Sequence, residues 1–285
     1  MCDVATGDAE DRPSTPTAAS HFAATNAGAY ERQMGRWSQR LAEPFLDFTG
    51  PIGATEAILD VGCGTGVLAR SVANRSECGP IRGVDVSAAY LRHASQVTTD
   101  QRIDFQIGDA CALPFPPASF DRVLSLLMLH FVPNAPAAVG EMRRVGRPDA
   151  LIGAAVWDAR GGGVAHRVFL DTAAALDPRA EMLRARHCTR PMTRPGELGA
   201  AWRASGLLDV AETALTIRMD FADFDDFWLP YLEGQGPAAA YVAGLAPADI
   251  SRLRSRVRSA YLDGEPDGAR SYAALAWAVR GVVPG

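Results

Sequence analysis

Lysine is absent from this chain of 285 residues, and all 28 of its basic residues are arginine. No side chain can therefore form a Schiff base with a carbonyl substrate or act as a lysine base. The five cysteines are scattered and include no C-x-x-C pair. This excludes a zinc knuckle and a disulfide framework, and it predicts a protein of the reducing cytoplasm. Arginine in place of lysine, with abundant alanine and glycine, indicates a GC-rich bacterial genome.

Long apolar segments are missing too. The longest apolar run, 123–132, includes Ser125 and His130 and is too short to span a bilayer. Residues 1–20 are acidic and then rich in Ser, Thr, Pro and Ala. They lack the basic start and apolar centre of a signal peptide and are predicted to be a disordered tail. The net charge of −5 gives no reason to expect nucleic acid or an anionic membrane as a partner.

The stretch that organises the chain is 57–70, AILDVGCGTGVLAR. Apolar residues around Asp60 lead into the glycine-rich segment 62–66, and a helical pattern begins at Val67. This order predicts a buried strand, a glycine turn and a helix whose N-terminal N–H groups face a ligand in the turn. Cys63, within the turn, is expected to pack as a small side chain and not to react as a thiol.

The glycine spacing distinguishes two classes of ligand. A dinucleotide fingerprint, G-x-G-x-x-G, would need its third glycine where this chain has Val67. Asp60 also stands where a dinucleotide site favours a neutral residue, whereas a carboxylate suits a ligand with an ammonium group and a cationic centre. The segment D-V-G-C-G-T-G resembles motif I of the class I S-adenosylmethionine (SAM)-dependent methyltransferases. An NAD-binding oxidoreductase is the least favoured alternative.

Two further strand ends extend this resemblance. Asp85 ends the predicted second strand, where a carboxylate can accept hydrogen bonds from ribose hydroxyls. Asp109 and Ala110 follow the predicted third strand, 103–107. In the family an acidic residue here receives the adenine amino group, and the backbone of the next residue meets the ring. The pattern G-D-A-x-x-L-P-F-x-x-x-S-F-D resembles the small-molecule group that includes ubiquinone and sterol methylating enzymes.

The resemblance, which is strong over 57–157, implies an α/β fold. We expect a doubly wound, seven-stranded, mostly parallel sheet of the Rossmann-like methyltransferase type, with an N-terminal helical cap and helical insertions. The segment 272–280 is expected to be its antiparallel strand. The predicted organisation is a tail at 1–20, a cap helix at 21–50, a SAM-binding core at 51–157, and the remainder of the sheet at 158–285, with substrate-side insertions at 158–206 and 220–270.

The segment before motif I carries a helical stripe. Tyr30, Met34, Trp37 and Leu41 would share one face of a helix that ends before Pro44. This helix is either a cap with an exposed arginine face or a lid that brings Tyr30 and Arg36 to the methionine end of the cofactor. The predicted cofactor contacts as a whole are Asp60, Gly62, Cys63, Gly64, Gly66, Asp85, Val86, Asp109, Ala110, Leu126, Tyr30 and Arg36.

His130 is the first candidate for a general base, since it follows the fourth strand at the ligand-binding edge of the sheet. A packing or cofactor-contact role is the alternative, and His166 and Asp158 are the next candidates. The substrate-binding candidates are Trp157, Tyr231 and Gln235. Phe224, Phe227 and Trp228 are expected to fill a core. The basic stretch 179–194 around His187 could meet an anionic substrate group, but a loop of solvated arginines is the favoured interpretation.

The predicted function is transfer of a methyl group from SAM to an O, N or C atom of a small, partly apolar molecule. The expected partner is this acceptor, with no nucleic acid, membrane or metal, and a homodimer is a further possibility. Two alternatives stay open. One is methylation of protein or RNA, and the other is a SAM-binding protein without transfer activity.

Overall fold

Seven strands form one sheet within residues 27–233 and 236–285, which the computed structural model describes. They are β1 (Ile58–Val61), β2 (Ile81–Asp85), β3 (Ile103–Ile107), β4 (Phe120–Leu126), β5 (Gly146–Trp157), β6 (Leu208–Phe221) and β7 (Arg270–Val282). Their order in the sheet is β3-β2-β1-β4-β5-β7-β6. Strands β1 to β5 pair in parallel, and β7 runs antiparallel to β5 and β6. The predicted mostly parallel sheet and its antiparallel strand are confirmed.

Helices flank this sheet on both sides. Within the described residues they are α1 (Ala27–Tyr30), α2 (Arg36–Thr49), α3 (Val67–Arg75), α4 (Ala88–Val97), α5 (Ala135–Val145), α6 (Val164–Leu176), α7 (Pro178–Cys188), α8 (Glu197–Ala204), α9 (Phe224–Leu232), α10 (Gly236–Ala243) and α11 (Pro247–Leu262). A π-helical turn, Glu31–Gly35, joins α1 to α2. No helix of this described part is both long and apolar enough to cross a membrane.

The short strand β1 separates two cores because successive side chains of a strand point to opposite faces. Ile58 packs with Phe45 of α2 in one cluster. Leu59 packs with Val139 of α5 and Trp202 of α8 in the other. With both faces covered, β1 is fully buried, as parallel strands generally are. The strand order reverses between β1 and β4, so the crevice at their carboxyl ends is where this architecture binds ligands.

The N-terminal helix is longer than the sequence predicts. Pro44 was expected to end it, but α2 continues through Pro44 to Thr49. A proline inside a helix costs about 3 kcal/mol through its lost hydrogen bond and its ring contacts. Phe45 and Leu46 are almost completely buried just beyond it, and each such side chain contributes about 1.5–3 kcal/mol. Burial therefore outweighs the cost of the proline. Residues 1–26, which include the predicted tail and the start of the predicted cap helix, lie outside the described residues.

The prediction that the basic stretch 179–194 is a loop of solvated arginines is only partly right, since three of its five arginines are exposed but the stretch is not a loop throughout. Its first half is the helix α7. The Asp177 side chain accepts a hydrogen bond of 2.9 Å from the backbone N–H of Arg179, and Pro178 occupies the first helical position. Both features favour a helix start. The helix packs against α6, while Arg179 and Arg186 stay exposed to solvent.

A third core lies under the helices inserted around β6 and β7. It includes the aromatic residues of α9, and Phe224, Phe227 and Trp228 are each at most 2% exposed. The prediction that these three fill a core is confirmed. Tyr231, one turn further along α9, stacks on Phe169 of α6 with ring centroids 4.0 Å apart. The inserted helices thus form a wall facing the ligand-binding edge of the sheet.

Candidate cofactor and acceptor site

The glycine turn after β1 brings backbone to the edge of a cavity. Gly62 and Gly64 both have positive φ, 71° and 54°, which favours glycine over any residue with a side chain. A Cβ on Gly62 would overlap the Met128 side chain, whereas a Cβ on Gly64 would meet no atom closer than 3.9 Å. Both glycines line the cavity. A ligand can therefore approach the main chain of the turn directly.

Asp85, at the end of β2, is fixed by this turn. The backbone N–H of Gly64 donates to Asp85 Oδ2 at 2.9 Å, and that of Ser87 donates to Oδ1 at 2.8 Å. A carboxylate can accept about four hydrogen bonds, so each oxygen keeps a free acceptor direction. Burial raises the pKa of Asp85, and the backbone hydrogen bonds oppose that shift. A carboxylate held in this way can accept hydrogen bonds from two neighbouring hydroxyl groups.

The next strand end supplies a second carboxylate. Asp109 follows β3, and its Oδ1 accepts a hydrogen bond of 2.8 Å from the backbone N–H of Cys111. Val86 is 58% exposed, which is unusual for valine, and lines the cavity together with Asp109 and Ala110. Apolar walls beside a carboxylate suit a flat heterocycle that carries an amino group.

The cavity has a volume of about 1640 Å³ and reaches from these strand ends to α6, α7, α9 and α10. Most of the predicted site residues line it, namely Tyr30, Arg36, Gly62, Gly64, Asp85, Val86, Asp109, Ala110, Leu126, His130, Trp157 and Tyr231. The reserve base candidates, Asp158 and His166, line it as well. Gln235 lies outside the described residues. One cavity therefore brings together residues predicted for the cofactor and for the acceptor.

Three predicted cofactor contacts do not line this cavity: Asp60, Cys63 and Gly66. Asp60 is 2% exposed, and its Oδ2 accepts a hydrogen bond of 3.2 Å from the backbone N–H of Ala69 in α3. Its Oδ1 finds no hydrogen-bond partner within the described ranges, and burial raises the pKa of Asp60 to about 7. Burial also raises the pKa of the Cys63 thiol well above its usual range. Direct contact of these residues with a ligand stays a prediction.

The N-terminal segment, residues 27–49, covers part of the cavity. The Tyr30 ring packs against Tyr90 of α4 with centroids 5.0 Å apart, and burial raises the pKa of Tyr30 to about 12. Arg36 pairs with Asp226 of α9 at 2.9 Å, and its guanidinium lies 4.2 Å from the centroid of the Trp37 ring. The segment thus contacts both the cofactor side and the inserted helices.

The part of the cavity formed by the segment after β4 and by α6 and α7 holds three histidines. His130 is 5% exposed, and its Nδ1 has no hydrogen-bond partner among the residues that the structure describes. His166 and His187 pack with ring centroids 4.6 Å apart. The Tyr231 hydroxyl lies 3.4 Å from His166 Nδ1. No three His, Cys, Asp or Glu side chains in residues 27–233 and 236–285 form a group that could hold a metal ion.

These histidines are neutral at pH 7. Burial, followed by the charge of Arg190, lowers the pKa of His130 well below its usual range and that of His166 to about 4. Burial and the neighbouring His166 and Arg190 lower the pKa of His187 to about 2. A neutral imidazole can accept a proton or donate a hydrogen bond, depending on its tautomer.

His187 and Arg190 line the cavity, although the sequence interpretation favoured a solvated role for their segment. A signal was available, because Leu183, His187 and Arg190 recur at the i, i+4, i+7 spacing of one helical face. Phe227 was assigned to the core and also lines the cavity.

Comparison with known proteins places residues 59–153 in a family described as "Methyltransferase domain". The chain is 33% identical over 102 residues to 27-O-demethylrifamycin SV methyltransferase of Amycolatopsis mediterranei, which is 34% of this chain and 37% of that protein. It is 34% identical over 113 residues to 2-methyl-6-phytyl-1,4-hydroquinone methyltransferase of Synechocystis sp., and this match covers 39% of this chain and 35% of that protein. It is also 34% identical over 93 residues to the mitochondrial arginine-hydroxylase NDUFAF5 of Rattus norvegicus. This match covers 33% of this chain and 26% of that protein. The chain spans about a third of the length of these relatives.

Solved structures extend the likeness to the whole fold. Phosphoethanolamine N-methyltransferase 2 of Haemonchus contortus, in complex with SAM, has a TM-score of 0.57 and 17% identity over 91% of this chain and 57% of its own. The [4+2]-cyclase SpnF has a TM-score of 0.52 and 21% identity over 87% and 81% of the two chains. Identities this low show the fold alone. The sheet order, the glycine turn with its strand-end carboxylates and the family match agree with the predicted resemblance. The match at residues 59–153, about a third of the chain, confirms over that segment the predicted resemblance to the class I SAM-dependent methyltransferases.

Proposed function

We propose that the protein transfers the methyl group of SAM to an O, N or C atom of a small, partly apolar acceptor. The observation that carries this proposal is the single cavity that joins the strand-end carboxylates to a chamber lined by aromatic rings and histidines. Typical ligand pockets measure roughly 300–1000 Å³. The cavity, at about 1640 Å³, has room for a second molecule beside the cofactor.

The residues at the strand ends fit the cofactor. Asp85 has free acceptor directions for the ribose hydroxyls, and Asp109 with Ala110 can receive the adenine. Tyr30 and Arg36 are proposed for the methionine end. When bound, SAM supplies a methyl group on a positively charged sulfur, which is already a good leaving group. The protein therefore has to orient the acceptor and exclude water.

His130 is the proposed base for an acceptor that must lose a proton. It is buried, lines the cavity and has an Nδ1 that no group in the described part of the chain hydrogen-bonds. Because its pKa is low, it is neutral at pH 7 and free to take a proton. The same low pKa makes it a weak base, so it suits an acceptor that loses its proton as the methyl group arrives. An amine acceptor that is already neutral would need no such help.

A small acceptor fits the enclosure better than a macromolecule. Trp157 and Tyr231 line the cavity on the acceptor side, and the N-terminal segment contributes Tyr30 and Arg36 as further walls. Two of the relatives named above are called methyltransferases of small molecules, a rifamycin and a phytyl hydroquinone. The acceptor of this chain is proposed to belong to the same broad class of partly apolar small molecules.

The first test is calorimetric binding of SAM, S-adenosylhomocysteine and NADH to the purified protein. We expect the first two to bind and NADH not to bind; binding of NADH alone would overturn the proposal. A screen of small acceptors for release of S-adenosylhomocysteine should then give turnover. Tight SAM binding without any release would favour a SAM-binding protein without transfer activity. The cyclase and hydroxylase named above show that this fold and this domain occur in proteins named for other reactions.

A further inference from the structure

Arg190 is a half-buried arginine that faces the cavity just beyond α7. Its guanidinium carbon lies 4.6 Å from the centroid of the Phe131 ring. Phe131 in turn packs against His130, with ring centroids 4.1 Å apart. The Arg190 charge is thus held deep in the acceptor end, next to the proposed base and not at the solvent surface.

No carboxylate pairs with Arg190 in the described part of the chain. Arg36 and Arg179, which also line the cavity, differ in this respect, because Arg36 pairs with Asp226 and the exposed Arg179 pairs with Asp177. Asp158, a cavity-lining carboxylate in the turn before α6, accepts hydrogen bonds from the backbone N–H groups of Arg160 and Gly161. The groups that sense the Arg190 charge are instead the three histidines.

Such a charge is costly unless a counter-charge joins it, because a half-buried guanidinium has lost part of its hydration. Burial lowers the pKa of Arg190 to about 10, which still leaves it fully charged at pH 7. The flat guanidinium can donate two parallel hydrogen bonds to a carboxylate. His130 Nδ1, almost fully buried, is a second polar group at this end for which residues 27–233 and 236–285 supply no hydrogen-bond partner.

We propose that the acceptor carries one carboxylate-type oxyanion, which docks on Arg190 while its apolar part lies against Phe131, Phe227 and Tyr231. This proposal rests on the proposed function and names the acceptor class more closely. A single negative charge is the match, because the neighbouring histidines are neutral at pH 7 and Arg186, at the rim, is exposed and screened. A doubly charged phosphate ester would leave one charge without a partner.

The test uses the full-length protein saturated with S-adenosylhomocysteine, so that only the acceptor end is open. Two fluorescent probes of similar shape are titrated in parallel, the anion 8-anilinonaphthalene-1-sulfonate and the neutral N-phenyl-1-naphthylamine. Arg190→Gln should weaken binding of the anion by about tenfold or more, as expected for lost charge-assisted hydrogen bonds, and leave the neutral probe nearly unchanged. Arg190→Lys should weaken the anion less. Arg194→Gln is the matched control, since Arg194 is exposed, belongs to the same basic stretch and does not line the cavity.

Displacement of the anionic probe then identifies the preferred charge. We expect 2-naphthoate to displace it at about tenfold lower concentration than 2-naphthamide, and 2-naphthyl phosphate to do no better than the naphthoate. A clear preference for the phosphate would overturn the single-charge proposal. Equal affinity for the two probes, or equal loss in Arg194→Gln and Arg190→Gln, would overturn the anion site itself. Failure of the unliganded protein to bind S-adenosylhomocysteine would instead count against the proposed function, so the two failures are distinguishable.

Discussion

The two ends of the cavity, which we propose hold the cofactor and the acceptor, carry opposite charges and are built in different ways. At the cofactor end, Asp85 and Asp109 follow neighbouring parallel strands, and the backbone N–H groups of Gly64 and Cys111 fix their carboxylates. At the acceptor end, Arg190 stands among three histidines that come from the region after β4 and from α6 and α7. Main chain holds the first end in place, and side chains packed between helices form the second.

This difference indicates which end can change without loss of the fold. A backbone-built end tolerates few substitutions, because the turn requires glycine at Gly62 and the hydrogen bonds come from main-chain atoms. A side-chain-built end can change its specificity through single residues, since no strand or turn depends on Arg190 or His187. We therefore expect substitutions at the two ends to separate cofactor binding from acceptor chemistry.

The largest difference between the effect on turnover and the effect on cofactor affinity should come from His130→Ala. If His130 removes a proton from the acceptor, turnover should fall by about 10²–10⁴-fold, the usual contribution of a general base. Affinity for S-adenosylhomocysteine should stay within about twofold of the wild-type value. Turnover is measured with the acceptor that the release screen identifies. His93→Ala is the control, because His93 lies on α4 and does not line the cavity. Equal losses in turnover and cofactor affinity would make His130 a cofactor contact and not a base.

Asp85→Ala should have the opposite pattern, with a loss of cofactor affinity and no change in binding at the acceptor end. Removing the carboxylate should weaken binding of S-adenosylhomocysteine by about 1–3 kcal/mol, or roughly 5- to 150-fold, through the loss of charge-assisted hydrogen bonds. Binding of the anionic fluorescent probe at the acceptor end should not change. Calorimetry measures the first effect and fluorescence the second. Asp104→Ala serves as the control, since Asp104 lies on β3 but is exposed and outside the cavity. Unchanged cofactor affinity in Asp85→Ala would disprove the ribose assignment.

The cofactor end could be predicted from the sequence because each of its parts is local. The glycine turn, the strand that precedes it and the carboxylates at the ends of β2 and β3 all lie within short stretches with clear patterns. Parallel strands then bring these stretches to one edge by topology alone. The helix that passes through Pro44 could not be predicted in this way. Its continuation depends on the burial of Phe45 and Leu46 against a sheet formed by residues far along the chain.

The acceptor end could be predicted only in part, for a related reason. Trp157 and His130 follow strands, so the edge of the sheet predicts their location. His187 on α7 and Arg190 just beyond it depend on how this helix and the turn after it pack against α6, and an arginine is usually solvated. Their spacing in the sequence suggests a common direction, although α7 ends before Arg190, and it does not indicate whether that direction is solvent or cavity. Only tertiary packing decides it.

Asp60→Asn tests whether the buried Asp60 carboxylate destabilises the folded protein when it ionises and no ligand is bound. The pKa of Asp60 is about 7 in the folded protein and near 3.8 in an unfolded chain. The folded state therefore binds more protons, and its stability falls as pH rises through this range. Between pH 5.5 and 8.5 the wild-type protein should lose about 2 kcal/mol of unfolding free energy that Asp60→Asn retains. Urea unfolding at several pH values measures this difference, and parallel pH profiles for the two proteins would contradict it.

The smallest expected effect concerns the contact that links the N-terminal segment to the acceptor side. Arg36 and Asp226 are each about a third exposed, so solvent screens their ion pair. A double-mutant cycle of Arg36→Ala and Asp226→Ala should therefore give a coupling energy of about 0.2–1 kcal/mol in urea unfolding. The cycle cancels the loss of the Arg36–Trp37 contact, which both Arg36→Ala backgrounds share. A coupling above about 2 kcal/mol would mean that the pair is desolvated, and that the segment closes over the cavity without the help of a ligand.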